Sequence, residues 1–216
     1  MSGWAAVPVE LVQSDAPAVA NLFARCADYF LLQDGVIPDL RDAVALFSDV
    51  PPEKTADEQT VLGWRDDHGL FVVAAILRDY PGDGISYLGL LLVDASRRGQ
   101  GIGRFFYRSI EAWAAAQGAR EMRLAVLEAS EDAERFWRAL GFDEMRRVGP
   151  DRFKERCHRR VELRRLRTGH LAGITSPRRP STPRCPRHPR PAVRRSCRRS
   201  RRRAVPAPRP WRSGSR

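Results

Sequence analysis

An apolar run, Leu90-Leu91-Leu92-Val93-Asp94, is followed a few residues later by Arg98-Gly99-Gln100-Gly101-Ile102-Gly103-Arg104, and this pairing constrains the fold more than any other part of the chain. The first segment reads as a buried strand. The second reads as a turn that opens directly into a helix. From Ile102 the apolar positions run through Phe105, Phe106, Ile110, Trp113 and Ala114, the i, i+3, i+4 spacing of one buried helix face. A turn without Cβ atoms at the head of a helix exposes several backbone N–H groups beside the positive end of the helix dipole. Such a turn receives an anion, most often a phosphate or pyrophosphate.

Spacing narrows the anion. A P-loop needs Lys-Ser/Thr after its last glycine, whereas Gly103 is followed by Arg104-Phe105. A dinucleotide fingerprint needs a third glycine where Arg104 stands, and Glu121, near the place of its distant acid, does not make up for that. The segment does match R-x-x-G-x-G, as Arg98, Gly101 and Gly103. Here the chain resembles the GNAT-type N-acetyltransferases, whose acetyl-CoA pyrophosphate sits on such a turn. The six residues alone also fit a bare strand-to-helix turn without ligand.

The flanks extend the resemblance. Met122–Leu127 reads as a strand, and Ser130-Glu131-Asp132-Ala133 starts a short helix that ends at Gly141-Phe142. Ser130 suits an N-cap, acids follow in the first turn, and Gly141 suits a C-cap. Ala133, Phe136, Trp137 and Leu140 share one face. The family pattern in this stretch is N-x-x-A-x-x-hydrophobic-Tyr-x-x-x-G-F. Ala133, Phe136, Gly141 and Phe142 match in register, while Ser130 stands at the Asn position and Trp137 at the Tyr position. The resemblance is strong over residues 85–145 and weaker over the rest of the first 168.

Element order agrees with it. A strand is expected at Val7–Val12, then a helix from Ser14-Asp15-Ala16-Pro17 toward Tyr29-Phe30, with Val19, Leu22 and Phe23 inward. A second helix starts at Pro38-Asp39 and stops before Pro51-Pro52. Strands follow at 59–65, 70–78 and 85–93, separated by turn-rich loops. After the strand–helix–strand–helix unit, a last strand pair is expected at 143–149 and 155–166. The fold class is thus α+β, in three layers: a mixed, mostly antiparallel sheet of GNAT type with helices on both faces. About 160 residues suffice for a core.

Charge divides the chain further. Residues 169–216 hold 15 Arg and 9 Pro and no Lys, Asp or Glu, so in a chain of net charge +12 the first 168 residues carry about −3. Proline and like-charge repulsion oppose compact structure in this stretch, which is expected to be a disordered basic tail on a domain spanning 1–168. Arg without Lys admits two readings, a nucleic-acid- or partner-binding arm and a shifted or read-through frame of G+C-rich coding sequence. Residues 146–167 are basic as well, which leaves 1–145 acidic, with many acids between Asp28 and Asp67. That stretch is either an ordinary solvated surface or a mouth that attracts cationic amines.

Cys26, Cys157, Cys185 and Cys197 form no C-x-x-C pair and meet no zinc spacing, so no metal is expected. Cys157 and His158 would point to opposite faces of a strand and not form a catalytic pair. No stretch reaches the roughly 18 apolar residues of a membrane span, and the N-terminus has no basic region followed by a long apolar one. A cytoplasmic chain is expected, with a homodimer left open.

The resemblance implies acetyl transfer from acetyl-CoA to an amine. The pantetheine arm would lie between the strands ending at Val93 and Leu127, with N–H groups of Leu91, Leu92 and Val93 at the thioester. The turn Arg98, Gly99, Gln100, Gly101, Ile102, Gly103 and Arg104 would hold the pyrophosphate, and Ser130, Ala133 and Trp137 would complete the donor site. An indole N–H is too weak an acid to replace the usual Tyr at Trp137. Tyr87, Asp79, Glu128 and Asp94 are candidates for the base, while Tyr29, Phe30 and Tyr80 would line the acceptor site. Three classes fit: an N-acetyltransferase acting on a small amine or peptide, a non-catalytic acetyl-CoA sensor, and a nucleic-acid-associated protein acting through its tail.

Overall fold

The middle of the sheet is a strand without polar residues. β3 (Gly69–Leu77) is buried along nearly its whole length because both of its faces are covered, so it reads as a continuous apolar run. The computed structural model describes residues 8–167; the basic stretch from 169 onward, expected to be disordered, lies outside them, as do Cys185 and Cys197.

In chain order the elements are β1 (Val9–Leu11), α1 (Ala16–Arg25), α2 (Ala27–Gln33), α3 (Leu40–Ala45), β2 (Gln59–Asp66), β3, β4 (Ile85–Val93), α4 (Ile102–Ala116), β5 (Glu121–Leu127), α5 (Glu131–Ala139), β6 (Asp143–Phe153) and β7 (Arg156–Leu166). Seven strands form one sheet in the order β1-β2-β3-β4-β5-β7-β6. Every neighbouring pair is antiparallel except β4 and β5, which α4 joins by a crossover.

The parallel pair is short. Ile85 faces Glu121, Ser86 faces Met122 and Tyr87 faces Arg123, and there the register ends. A bulge lies just beyond: Ile76 of β3 pairs with Leu88 but Ala75 pairs with Leu90, which leaves Gly89 as the extra residue. A bulge bends its strand and sharpens the twist. From this point Leu88–Val93 and Leu124–Leu127 diverge.

Alternation along β3 fills two cores. Val72, Ala74 and Ile76 join Trp64, Leu88, Met122 and the inner faces of α4 and α5. Val73 and Ala75 join Leu92 and the inner faces of α1, α2 and α3. Asp39 starts α3 with a capping box: its carboxylate accepts the N–H groups of Arg41 (2.7 Å) and Asp42 (3.3 Å), and the Asp42 carboxylate accepts the Asp39 N–H (3.0 Å).

Four expectations are corrected. The first helix does not continue to Tyr29-Phe30 but breaks at Cys26, whose buried thiol donates to the Val93 carbonyl (3.4 Å). On α4 it is Tyr107, not Phe105, that is buried, because the face centred on Ile102, Phe106 and Ile110 turns its flank toward α5. The described part of β1 ends at Leu11, and β6 continues to Phe153 instead of stopping at 149.

Phe106 is fully buried and packs on Trp64 (ring centroids 4.6 Å) and Phe71 (5.6 Å). Phe106→Ala should cost about 3–5 kcal/mol in chemical denaturation, the range for emptying a large aromatic site. A loss below about 1 kcal/mol would show that α4 is not seated on the sheet in this way.

Candidate active site

Where β4 and β5 part, a cavity of about 920 Å³ crosses the sheet. That is the upper end of ordinary ligand pockets, roughly 300–1,000 Å³. Residues 87–93 and 124–127 form its walls. Since alternate residues of a strand direct their N–H and C=O groups to opposite sides, half of the backbone polar groups of 88–93 face the gap where β5 would otherwise pair.

On one face of the sheet the cavity meets the head of α4. Gly99 and Gly101 have φ of +78° and +79°, and a Cβ on either would meet nothing within 4 Å. Glycine is needed there for its backbone conformation and not for space. Gly103 is the opposite case: a Cβ would lie 3.2 Å from the Phe136 ring, so its absence lets α4 and α5 approach. The first N–H groups of α4 have no partner within the helix and sit at its positive end. Arg104, exposed in the first turn, makes no ion pair among the described residues. Leu91, Leu92, Val93, Arg98, Gly99, Gly101, Ile102, Gly103, Arg104, Ser130, Ala133 and Trp137 all line the cavity; Gln100 does not.

Two of these also make contacts within the protein. Arg98 donates through Nε to the Val93 carbonyl (3.1 Å) and through both terminal nitrogens to the Asp28 carboxylate of α2 (2.5 and 3.3 Å). It is a strut between the turn and α2, and the hydrogen bond from it holds the Asp28 carboxyl below the usual carboxylate range. Trp137 packs edge-on against Tyr107 and Phe142, with ring centroids 5.3 Å away in both cases, and forms wall and core together.

On the other face the cavity is bounded by α2, α3, β4 and the β6–β7 hairpin. Tyr29 donates its hydroxyl to Gln33 Oε1 (2.6 Å), Gln33 donates to Asp34 (3.3 Å), and burial pushes the Tyr29 phenol upward. Phe30 stacks beside Phe23. Asp42 accepts from Lys154 Nζ (2.6 Å), and buried Arg160 donates to Asp151 (2.7 and 3.2 Å). Tyr87 stands at the apex of the split, in the last β4–β5 pair, with its ring against Tyr80 (5.6 Å). Burial pushes its phenol above the ordinary value.

The other proposed bases do not reach the cavity. Asp79 accepts the Gly84 N–H (2.6 Å) and closes the β3–β4 turn. Glu128 is held by Arg147 (2.5 Å) and Arg159 (3.5 Å), and Asp94 by Arg25 and Ser96. Tyr80 is buried behind Tyr87 and does not line the cavity. Asp28, Gln33, Asp42, Phe153 and Arg160 line it without having been singled out for the acceptor site; the last two needed the hairpin register, which no local pattern reveals. Among the described residues no group of three or more His, Cys, Asp or Glu is placed to hold a metal, and no helix is long and apolar enough to cross a membrane.

A family model described as the acetyltransferase (GNAT) family matches residues 19–142, more than half of the chain, so the protein belongs to that family. No curated protein sequence matches significantly. Among solved structures, the chain is similar to an acetyltransferase from Thermus thermophilus (23% identity, TM-score 0.59, covering 74% of this chain and 95% of that one). It is also similar to a ribosomal-protein-alanine N-acetyltransferase from Brucella melitensis (16%, 0.57, 74% and 99%) and to the ribosomal-protein-S18-alanine N-acetyltransferase from Escherichia coli (14%, 0.57, 76% and 97%). At these identities the likeness establishes the fold, and family membership adds acetyl transfer in general. Acetyl-CoA, which the family implies, fits the glycine-built cradle and the unpaired strand edges.

Gly103→Val should force α4 from α5 at Phe136 and weaken acetyl-CoA binding by at least about tenfold, on the scale of a site displaced by an ångström. Isothermal titration of acetyl-CoA measures this; unchanged affinity would remove the head of α4 from the donor site.

Proposed function

We propose that this protein transfers the acetyl group of acetyl-CoA to the primary amine of a small molecule by direct attack. The observation that carries the reading is the cavity that crosses the sheet between β4 and β5, with an anion cradle on one face and a separate chamber on the other. When bound, acetyl-CoA supplies an activated acetyl carbon; a C–N bond forms to the amine and the C–S bond breaks.

The chain's own groups divide the remaining work. The N–H groups of Gly99–Arg104 and the Arg104 side chain hold the pyrophosphate. Unpaired N–H groups of Leu91–Val93 hydrogen-bond the thioester oxygen and hold the negative charge that develops there. A free alkylamine has a pKa near 10. The apolar walls Phe30, Leu46, Leu90 and Phe153 disfavour its cation, so it gives its proton to water before attack. Tyr87, kept protonated by burial, donates to the departing sulfur and supplies the hydroxyl that Trp137 lacks; the proton that the nitrogen loses as the amide forms passes through water and restores the phenol.

A non-catalytic acetyl-CoA sensor is the second reading, favoured by the absence of Asp79, Asp94 and Glu128 from the cavity. Thiol release from acetyl-CoA in the presence of primary amines separates the two; binding with no release from any amine establishes the sensor. For the catalyst, Tyr87→Phe should lower kcat about 10²-fold, the lower range for one acid–base group, with the acetyl-CoA Kd unchanged. Because burial raises the Tyr87 phenol above 10, the wild-type kcat should show no decline from tyrosine ionisation between pH 7 and 10. A decline in that interval that Tyr87→Phe abolishes would overturn the donor role.

A further inference from the structure

The charges of the acceptor chamber are already matched. Three ionised side chains line it, and each has a partner: Asp28 with Arg98, Asp42 with Lys154 and Arg160 with Asp151. The buried two, Asp42 and Arg160, lie 2.6 Å from Lys154 and 2.7 Å from Asp151. The neutral polar groups are engaged as well: Tyr29 donates to Gln33, and Gln33 donates to the Asp34 carboxylate. Of the acids between Asp28 and Asp67, Asp28 and Asp42 are the two that line the chamber, so the stretch gives it no unmatched negative charge; Asp39, Glu58 and Asp66, outside it, are also paired, with Arg41, Lys54 and Arg97.

The rest of this half is apolar: Phe30, Leu32, Leu46, Leu90 and Phe153. One side is closed by the β6–β7 hairpin, which is tied across the chamber to α2, to α3 and to Asp34 between them. Lys154 reaches Asp42, the Glu155 N–H donates to the Asp34 carbonyl (3.0 Å), and His158 Nε2 lies 3.0 Å from the Leu32 carbonyl. A long acceptor cannot leave by that side without breaking these ties.

From the paired walls, the aromatic lining and the tied hairpin, and resting on the acetyltransferase reading above, we infer that the acceptor is a small hydrophobic monoamine, an aryl- or alkyl-bearing amine with no second charge. A second ammonium or a carboxylate on the substrate would have to be buried against charges that already have partners. An ion desolvated without a partner is strongly disfavoured. Polyamines, aminoglycosides and free amino acids carry such groups; phenethylamine does not. The ring of a monoamine would lie among Phe30, Leu46 and Phe153, with its nitrogen toward Tyr87 at the apex of the split.

The full chain with saturating acetyl-CoA, assayed by thiol release, tests this against phenethylamine, spermidine, kanamycin and phenylalanine. Phenethylamine should exceed each of the others in kcat/KM by at least about tenfold, the lower end of what one unmatched group costs in a shaped pocket. Lys154→Met then frees the Asp42 carboxylate. The ratio of kcat/KM for 1,4-diaminobutane to that for phenethylamine should rise by about tenfold or more, since the chamber gains an unmatched negative charge. Acetyl-CoA affinity and thermal melting of the variant show whether the donor half and the fold are intact, and the wild-type ranking stands without the variant. Spermidine, kanamycin or phenylalanine used as well as phenethylamine would overturn the inference and leave the acetyltransferase reading in place. An intact Lys154→Met protein with an unchanged ratio would overturn it too. Acetyl-CoA binding with thiol release in the presence of none of the amines would remove the acetyltransferase reading itself.

Discussion

The parting of β4 and β5 after three residue pairs is the constraint on which the rest of the structure depends. A parallel pair that stops at Tyr87 and Arg123 leaves two strand edges with unpaired backbone groups inside the domain. Such groups are costly to bury without partners. The opening persists because both faces of the strands are held independently: α4 and α5 pack one core, α1–α3 the other. An extended arm laid in the split would satisfy those edges as an added strand does. The same feature that weakens the sheet would suit a thin, amide-bearing ligand.

Charge organises the site around that split. The two arginines that bracket the glycine turn do different work, although the sequence presents them alike. Arg98 is engaged by Asp28 and the Val93 carbonyl, which ties the end of β4 to α2 and so couples the donor turn to the acceptor wall. Arg104, in the first turn of α4, has no such partner among the described residues, which suits the anion-binding role proposed for it. Pairing also offsets part of the acidic character that composition suggests for residues 28–67: Asp28, Asp39, Asp42, Glu58 and Asp66 each face a cation. Formal charge counts residues, whereas a ligand meets the field that remains after neighbours have been matched.

What was legible in the sequence follows from how local the signal is. The glycine turn, the α5 pattern ending at Gly141-Phe142, and the strand–helix order are short-range patterns, and the fold carries them in place. The break at Cys26 was not legible, because it depends on a thiol meeting the Val93 carbonyl, 67 residues away. Asp79 and Glu128 looked like bases from their places at strand ends, yet a turn amide and two arginines of the last strand pair hold them. Arg160 and Phe153 entered the site only through the register of β6 on β7, with its two shifts between Glu144 and Asp151. Partners distant in sequence decide which polar groups remain available, and no window of the sequence contains both.

Trp137 and Tyr87 bring these threads together. At the position where the family usually has a phenol on α5, an indole instead extends an aromatic cluster with Tyr107, Phe136 and Phe142. That substitution adds packing to α5, a helix whose surface is otherwise charged, and removes an acid from that wall. A phenol is nevertheless present in the cavity, on β4, in the last pair before the strands diverge. A hydroxyl there is held by the sheet itself and not by a two-turn helix, and it faces the chamber in which the amine must lie. Burial favours its neutral form, which suits the donor role proposed for it and not that of a base. In the proposed reaction the amine would then shed its proton by desolvation among apolar walls, a route suited to a chamber whose charges are already matched.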